Sequence, residues 1–260
     1  MNMQKMMRAL ENDESVLNVF LTIPSPWTAE LIAHAGWDAL TIDMQHGLMD
    51  FNTALGMLHA MSSTDVVPFV RLPWNEPSVI MKVLDAGAMG VICPMINTAA
   101  DVEAFVGACR YPPRGYRSFG PIRSRLYAEG DYRAYADRHV LTFAMIETAE
   151  SVDNLDAIAA VPGLNGIYIG PHDLSVSMGL DRIADFKHSE LHGVIERVAV
   201  LCRRHGLIAG IFASSTDEAA MVAGLGYRFV TYQHDSGLLE EIARSRLDEL
   251  KRKIGRGEMR

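Results

Sequence analysis

The chain has 260 residues, 49% of them hydrophobic, which suffices for one large core, and α/β barrels of this length commonly form one unit, so a single domain over residues 1–260 is expected. A formal net charge of −8, with basic residues spread along the chain, excludes a cationic face for nucleic acid or an acidic membrane, so an anionic ligand needs a local arginine site. Cys93, Cys109 and Cys202 lie far apart without a CxxC, no run of about 18 apolar residues occurs, and the N-terminus lacks a leader-like core; together these point to a reduced, soluble, cytoplasmic protein.

In chain order, Met3 to Leu10 reads as a short amphipathic helix, Val16 to Leu21 as a first strand and Trp27 to Ala35 as a helix. A phrase then recurs: a helix end, a glycine and a short apolar strand, at Gly36, Gly87, Gly163 and Gly226. Glycine takes the left-handed conformation after a helix at low cost, so each phrase marks a helix-to-strand junction. The remaining strands fall at Ala39 to Ile42, Val66 to Val70, Gly90 to Cys93, Leu141 to Ile146, Gly166 to Ile169, Ile208 to Phe212 and Phe229 to Tyr232. Helices are expected between them at Phe51 to Met61, Pro77 to Ala86, Ala99 to Cys109, Val152 to Ala159, Leu191 to His205 and Asp217 to Leu225. Alternating units with nearly continuous apolar strands predict a (β/α)₈ TIM barrel over an open doubly wound sheet, and no GxGxxG follows the first strand to favour the latter.

Two segments stand outside that pattern. The connection from Cys109 to Leu141 is long and carries Arg114, Arg117, Arg123, Arg125, Arg133 and Arg138, most of which read as solvated or as a subunit contact. A terminal helix over 238–254 sets Leu238, Leu239, Ile242, Leu247, Leu250 and Ile254 among charged residues, to pack on its own barrel or on a neighbour.

The chemistry concentrates where strands end. The strand at Leu141 delivers Glu147; the strand at Gly166 delivers Asp173 through Gly170, Pro171 and His172, with a loop expected as far as Gly179. Parallel neighbours point their C-terminal ends the same way, so both carboxylates converge on one mouth, where a hard divalent cation would find oxygen ligands. Each acid alone reads equally well as a helix cap. Asp43, Gln45 and His46 follow the second strand and Arg71 ends the third; Arg71 would bind an oxyanion or pair with Asp43. Asp85, at a helix C-terminus where negative charge is unfavourable, calls for a partner such as His46.

The segments IDMQHG, VPFVRLPWNEP, LDAGAMGVICPM, RYPPRGYR, MIETAESVDNLDAI and GIYIGPHDLSVSMG resemble the motifs of the HpcH/HpaI aldolases, metal-dependent pyruvate aldolases of class II, from about Ala29 to Gly179. The resemblance implies a (β/α)₈ barrel in which Glu147 and Asp173 bind Mg²⁺, Mn²⁺ or Co²⁺. It also implies that His46 with Asp85 transfers protons, that Arg71 stabilises an enolate, and that the subunits form a homohexamer exchanging their last helix. Gly170, Pro171 and His172 then shape the backbone that receives the keto acid. The chain departs from the family pattern at Gln45, where many members carry glutamate, at Met145, where glutamine is usual, and at Gln233-His234-Asp235, where relatives often read GVD.

The expected activity is reversible cleavage of a 4-hydroxy-2-oxo acid to pyruvate or hydroxypyruvate and an aldehyde. A citryl- or malyl-CoA-type lyase and a non-catalytic keto-acid binding protein are the alternatives. A Schiff-base mechanism is disfavoured because Lys5, Lys82, Lys187, Lys251 and Lys253 all fall outside the predicted strands.

Overall fold

Eight apolar runs form parallel strands that close on themselves in sequence order: β1 (Val16–Leu21), β2 (Ala39–Asp43), β3 (Val67–Arg71), β4 (Gly90–Cys93), β5 (Leu141–Ile146), β6 (Gly166–Ile169), β7 (Ile208–Ala213) and β8 (Phe229–His234). The computed structural model describes residues 3–255, so residues 1, 2 and 256–260 of the expected span lie outside the described residues. β2 to β6 are buried along their whole length because helices cover one face and the barrel interior covers the other, which is why they read as continuous apolar runs rather than alternating ones.

The period of two nevertheless governs what points inward. Phe69 lies beside Gly90 in register, Phe143 beside Gly166, and Gly210 between Tyr168 and Phe229. A Cβ at Gly90 would sit 2.0 Å from the Phe69 ring, and one at Gly166 2.4 Å from that of Phe143, so these glycines make room for the rings across the strand gap. The rings of Phe69, Phe143 and Phe229 meet at centroid distances of 4.8 to 6.0 Å. Met3 and Met6 of α1 (Met3–Glu11) join this interior cluster, so the lead-in helix plugs the N-terminal end of the barrel. A second, larger core lies between the sheet and the outer helices.

Those helices are α2 (Pro26–Ala33), α3 (Phe51–Met61), α4 (Pro77–Asp85), α5 (Ala99–Cys109), α6 (Tyr132–His139), α7 (Ala149–Asp153), α8 (Leu155–Ala159), α9 (Pro171–Ser177), α10 (Ser189–His205), α11 (Thr216–Leu225) and α12 (Asp235–Lys253). Side-chain caps at Ser25, Asp50, Thr98 and Ser215 start four of them, and the junction glycines Gly36, Gly87, Gly163 and Gly226 have positive φ.

Three expectations change. The helix expected over Val152 to Ala159 is two short ones meeting at Asn154, whose side-chain amide donates to Asn97 O at 2.9 Å. The loop expected up to Gly179 is largely α9, started by Pro171 in its first turn. The long connection holds a 3₁₀ turn (Ser124–Tyr127) and α6, and two of its arginines are structural rather than solvated. Arg117 is 1% exposed between the rings of Tyr111 and Tyr132, and Arg123 donates to the carbonyls of Ala86 and Leu58. The terminal helix α12 buries only Asp235; Leu239, Ile242, Leu247 and Leu250 stand about half exposed or more. Among the described residues, no helix is long and apolar enough to cross a membrane.

Candidate active site at the barrel mouth

Asp43 and Arg71 are register partners at the ends of β2 and β3, with side chains alternating inward. Arg71 donates from Nε to Asp43 Oδ1 at 2.9 Å and from Nη2 to Oδ2 at 2.6 Å, a bidentate pair buried on both sides. The guanidinium also lies over the Phe20 ring, 4.5 Å from its centroid. Burial opposes its charge, but the hydrogen bonds and charge of Asp43, with Tyr168 and Glu147 adding, together push the Arg71 pKa up, so the cation is secure. Asp43 Oδ1 also accepts from the backbone N–H groups of Gln45 and His46, at 3.1 and 3.2 Å. One carboxylate thus fixes both the arginine and the turn that presents His46. Gly47 closes the turn, since a Cβ there would lie 2.2 Å from Asp43 O.

Across the barrel, Glu147 follows Phe143 and Met145 on the inward face of β5 and its extension. Its Oε1 accepts from Met95 N at 2.6 Å, and Met95 holds a left-handed backbone with φ 54° to aim that N–H. Its Oε2 is buried with no hydrogen-bond partner. Burial pushes the Glu147 carboxyl up; the Met95 N–H opposes this, the Asp173 carboxylate adds to it, and Arg71 pulls back. Asp173 lies in the first turn of α9. Gly170 lets the backbone pass close to both inward side chains, since a Cβ there would be 2.7 Å from Glu147 Oε2 and 2.5 Å from Met145 Cε.

An unpaired buried carboxylate oxygen beside a second carboxylate fits a hard divalent cation, which relieves both the desolvation and the repulsion. No group of three or more His, Cys, Asp or Glu able to hold a metal occurs among the described residues, so water and substrate oxygens would complete the coordination.

A cavity of about 850 Å³ opens at this mouth. His46, Asp43, Arg71, Met145, Gly170, Pro171, His172 and Asp173 line one side, while Phe20, Thr22, Phe212, Ser214, Gln233, His234 and Ser236 line the floor and the other. Burial pushes the His172 imidazole down, with Asp173 opposing, and its ring meets Phe212 edge-on at 5.7 Å. Of the lining residues outside the expected set, Gln233 and His234 belong to the β8 departure from the family pattern, whereas Phe20 of β1 and Phe212 of β7 carry no motif, although the rule that ligands bind at strand C-terminal ends applies equally to them.

Three expected site residues are not among those lining the cavity: Glu147, whose Oε2 lies against the lining residue Gly170, and Asp85 and Gln45. Asp85 ends α4, whose nine residues run from the mouth back along the barrel for roughly 13 Å at 1.5 Å per residue. It therefore lies toward the plugged end of its own barrel, where Arg117 Nη2 donates to it at 2.6 Å and burial pushes its carboxyl up. A His46–Asp85 pair within one chain is excluded by this placement. Gln45 turns away from the cavity, with its Oε1 buried and unpartnered.

The sequence profile described as HpcH/HpaI aldolase/citrate lyase matches residues 17–241. The chain belongs to that family. A hydroxypyruvate/pyruvate aldolase of Rhizorhabdus wittichii is 39% identical over 242 residues, 93% of this chain and 96% of the relative. A 5-keto-4-deoxy-D-glucarate aldolase of Escherichia coli is 29% identical over 250 residues, 95% of this chain and 97% of the relative. The crystal structure of an HpcH/HpaI aldolase/citrate lyase family protein from Burkholderia cenocepacia superimposes with a TM-score of 0.88 at 32% identity, covering 95% of this chain and 99% of the other. Of the departures from the family pattern, Met145, Gln233 and His234 line the cavity, and Met145 puts an apolar thioether where an amide would offer an oxygen and two donors.

Proposed function

We propose that this HpcH/HpaI family member is a divalent-metal-dependent aldolase that reversibly cleaves a 4-hydroxy-2-oxo acid to an aldehyde and pyruvate or hydroxypyruvate. The observation that carries the reading is Glu147, buried with one oxygen unpartnered and coupled to Asp173 and Arg71, at a mouth with room for such an acid. Relatives named hydroxypyruvate/pyruvate aldolase and 5-keto-4-deoxy-D-glucarate aldolase support the substrate class. Glu147 and Asp173 hold the cation, with Mg²⁺, Mn²⁺ and Co²⁺ the candidates. When bound it supplies a Lewis acid for the keto acid's oxygens.

The chain's own residues do the rest. His46 removes the proton of the 4-hydroxyl as the C3–C4 bond breaks; the bonding electrons flow into the C2 carbonyl, and the 4-hydroxyl carbon leaves as the aldehyde. Arg71, held charged by Asp43, stabilises the negative oxygen of the resulting enolate. Return of the proton from His46 to C3 completes pyruvate. The first-turn backbone of α9, freed at Gly170 and started by Pro171, receives the substrate carboxylate beside His172. A Schiff base is unsupported, since no lysine lines the cavity among the described residues.

Two features make this reading oligomeric. The His46–Asp85 pair that the family resemblance implies requires Asp85 from a neighbouring copy, and α12 presents an apolar row that its own barrel leaves uncovered. A homohexamer exchanging α12 accounts for both. The test of function is a coupled assay of pyruvate and hydroxypyruvate against an aldehyde panel: a chelator abolishes turnover and Mg²⁺, Mn²⁺ or Co²⁺ restores it. Full activity after exhaustive chelation, or a borohydride-trapped lysine adduct, overturns the reading.

A further inference from the structure

The side of the mouth opposite Arg71 has its own construction. The pairing of β8 with β1 shifts register between Asn18 and Phe20, so that Phe20 pairs with His234, and Gln233 takes a left-handed backbone with φ 58°. Such a bulge re-aims the side chains beyond it. Gln233 Nε2 donates to Ser214 O at 3.0 Å, tying β8 to the end of β7. Asp235, 3% exposed, accepts from the N–H and hydroxyl of Thr22, both at 2.7 Å, and so ties β8 to β1.

These ties decide which groups on the wall remain available. The Thr22 hydroxyl donates to Asp235 and lies 2.7 Å from the Ser236 hydroxyl, which is also 2.9 Å from His234 Nδ1, so both hydroxyl protons have acceptors within the wall. His234 Nδ1 accepts from Gly237 N at 2.9 Å, capping α12. Because Nδ1 is an acceptor, the neutral ring carries its proton on Nε2, and no residue among those described accepts from it. His234 therefore lines the cavity with one donor in hand, on an imidazole orientated by a helix cap. The wall is also uncharged. Among the described residues lining the cavity, Arg71 is the one guanidinium or ammonium, and its Nε and Nη2 are engaged by Asp43.

We infer that His234 is a specificity-determining residue for the aldehyde partner, donating from Nε2 to a hydroxyl of an uncharged hydroxyaldehyde. The inference rests on the aldolase reading and adds to it which aldehyde the site takes. A carboxylated semialdehyde would place a second carboxylate against this wall with no cation to meet it, whereas a hydroxyl needs only a neutral donor. An aldehyde without hydroxyls would leave the Nε2–H buried and unpaired, the asymmetry by which polar sites reject apolar analogues.

The experiment compares glyceraldehyde, propionaldehyde and succinic semialdehyde with pyruvate as the donor, in the metal-loaded wild type and in His234→Asn. Asparagine retains an N-cap acceptor for Gly237 but is too short to carry a donor into the cavity. In the wild type, kcat/KM for glyceraldehyde should exceed that for either other aldehyde by roughly 10- to 100-fold. His234→Asn should lose most of that preference, its kcat/KM falling roughly 10-fold further for glyceraldehyde than for propionaldehyde. Wild-type preference for succinic semialdehyde overturns the inference. So does a variant that loses both uncharged aldehydes equally, or neither. Absence of exchange of pyruvate methyl protons with deuterated water in the wild type overturns the aldolase reading itself, and the wild-type aldehyde ranking keeps the question decidable if the variant fails to fold.

Discussion

At the plugged end of the barrel the inward side chains are Val67, Phe69, Leu141, Phe143 and Phe229, closed below by Met3 and Met6; toward the mouth they are Asp43 at the end of β2, Arg71 two residues after Phe69 and Glu147 four residues after Phe143. Both sets of side chains are buried. They differ in how burial is compensated. At the plugged end rings pack against glycines on the next strand, and apolar area removed from water stabilises the arrangement. At the mouth Arg71 has Asp43 in a bidentate pair, whereas Glu147 is left with an unpartnered oxygen and a neighbouring like charge. One end is therefore optimised for stability, and the other retains a poorly compensated carboxylate whose charge protonation or a bound cation would relieve.

The strongest way to break this contrast is to remove that charge. Glu147→Gln should abolish cation binding and lower turnover by roughly 10³-fold or more. It should also raise the melting temperature of the cation-free protein. The sign follows from the raised Glu147 pKa: the fold prefers the protonated acid, so stability is fully present below the ordinary carboxylate range and is lost as pH rises through it toward the raised value. The gain from Glu147→Gln should thus be largest at neutral pH and vanish in acid. Differential scanning calorimetry with a chelator checks it; a lower melting temperature at pH 7 would mean that Glu147 is structural.

Next in size is the proton-transfer pair. His46→Ala and Asp85→Ala should each reduce cleavage by roughly 10²- to 10⁴-fold while leaving cation affinity intact. Because Asp85 cannot reach His46 within one chain, co-refolded mixtures of the two variants should recover part of the wild-type activity. No recovery, with hetero-oligomers shown by native mass spectrometry, rejects the shared site.

The Asp43–Arg71 pair probes the compensated charge. Asp43→Ala leaves a buried guanidinium unpaired and should cost about 3–5 kcal/mol in urea unfolding, whereas Arg71→Ala should show its main loss in pyruvate methyl-proton exchange. Exchange at the wild-type rate in Arg71→Ala would make the pair purely structural. The smallest catalytic effect belongs to the plugged end. Gly90→Ala drives a methyl into the Phe69 ring and should destabilise by about 1–3 kcal/mol, with kcat and cation affinity unchanged at a permissive temperature.

Much of the architecture is written locally. Apolar runs bounded by glycine, proline and capping residues place the eight strands within two residues of their observed ends, because strand interiors of a closed barrel are dry on both faces and tolerate little else. Acids and cations at the ends of β2, β3, β5 and β6 are equally legible, since the C-terminal end of a parallel strand is a fixed address. Only the tertiary structure decides the rest. Arg117 and Arg123 look solvated until burial shows each meeting carbonyl, carboxylate or aromatic partners far away in sequence. Asp85 carries the right chemistry, but the direction of α4 sends it to the wrong end of its own barrel. The wall bearing His234 depends on a bulge and on hydrogen bonds linking β8 to β1 and β7, residues some 20 to 210 positions apart. Local propensity and period report what a residue is and which face it takes; which nitrogen of a ring is engaged, and which oxygen is not, depends on partners that meet only when the barrel closes.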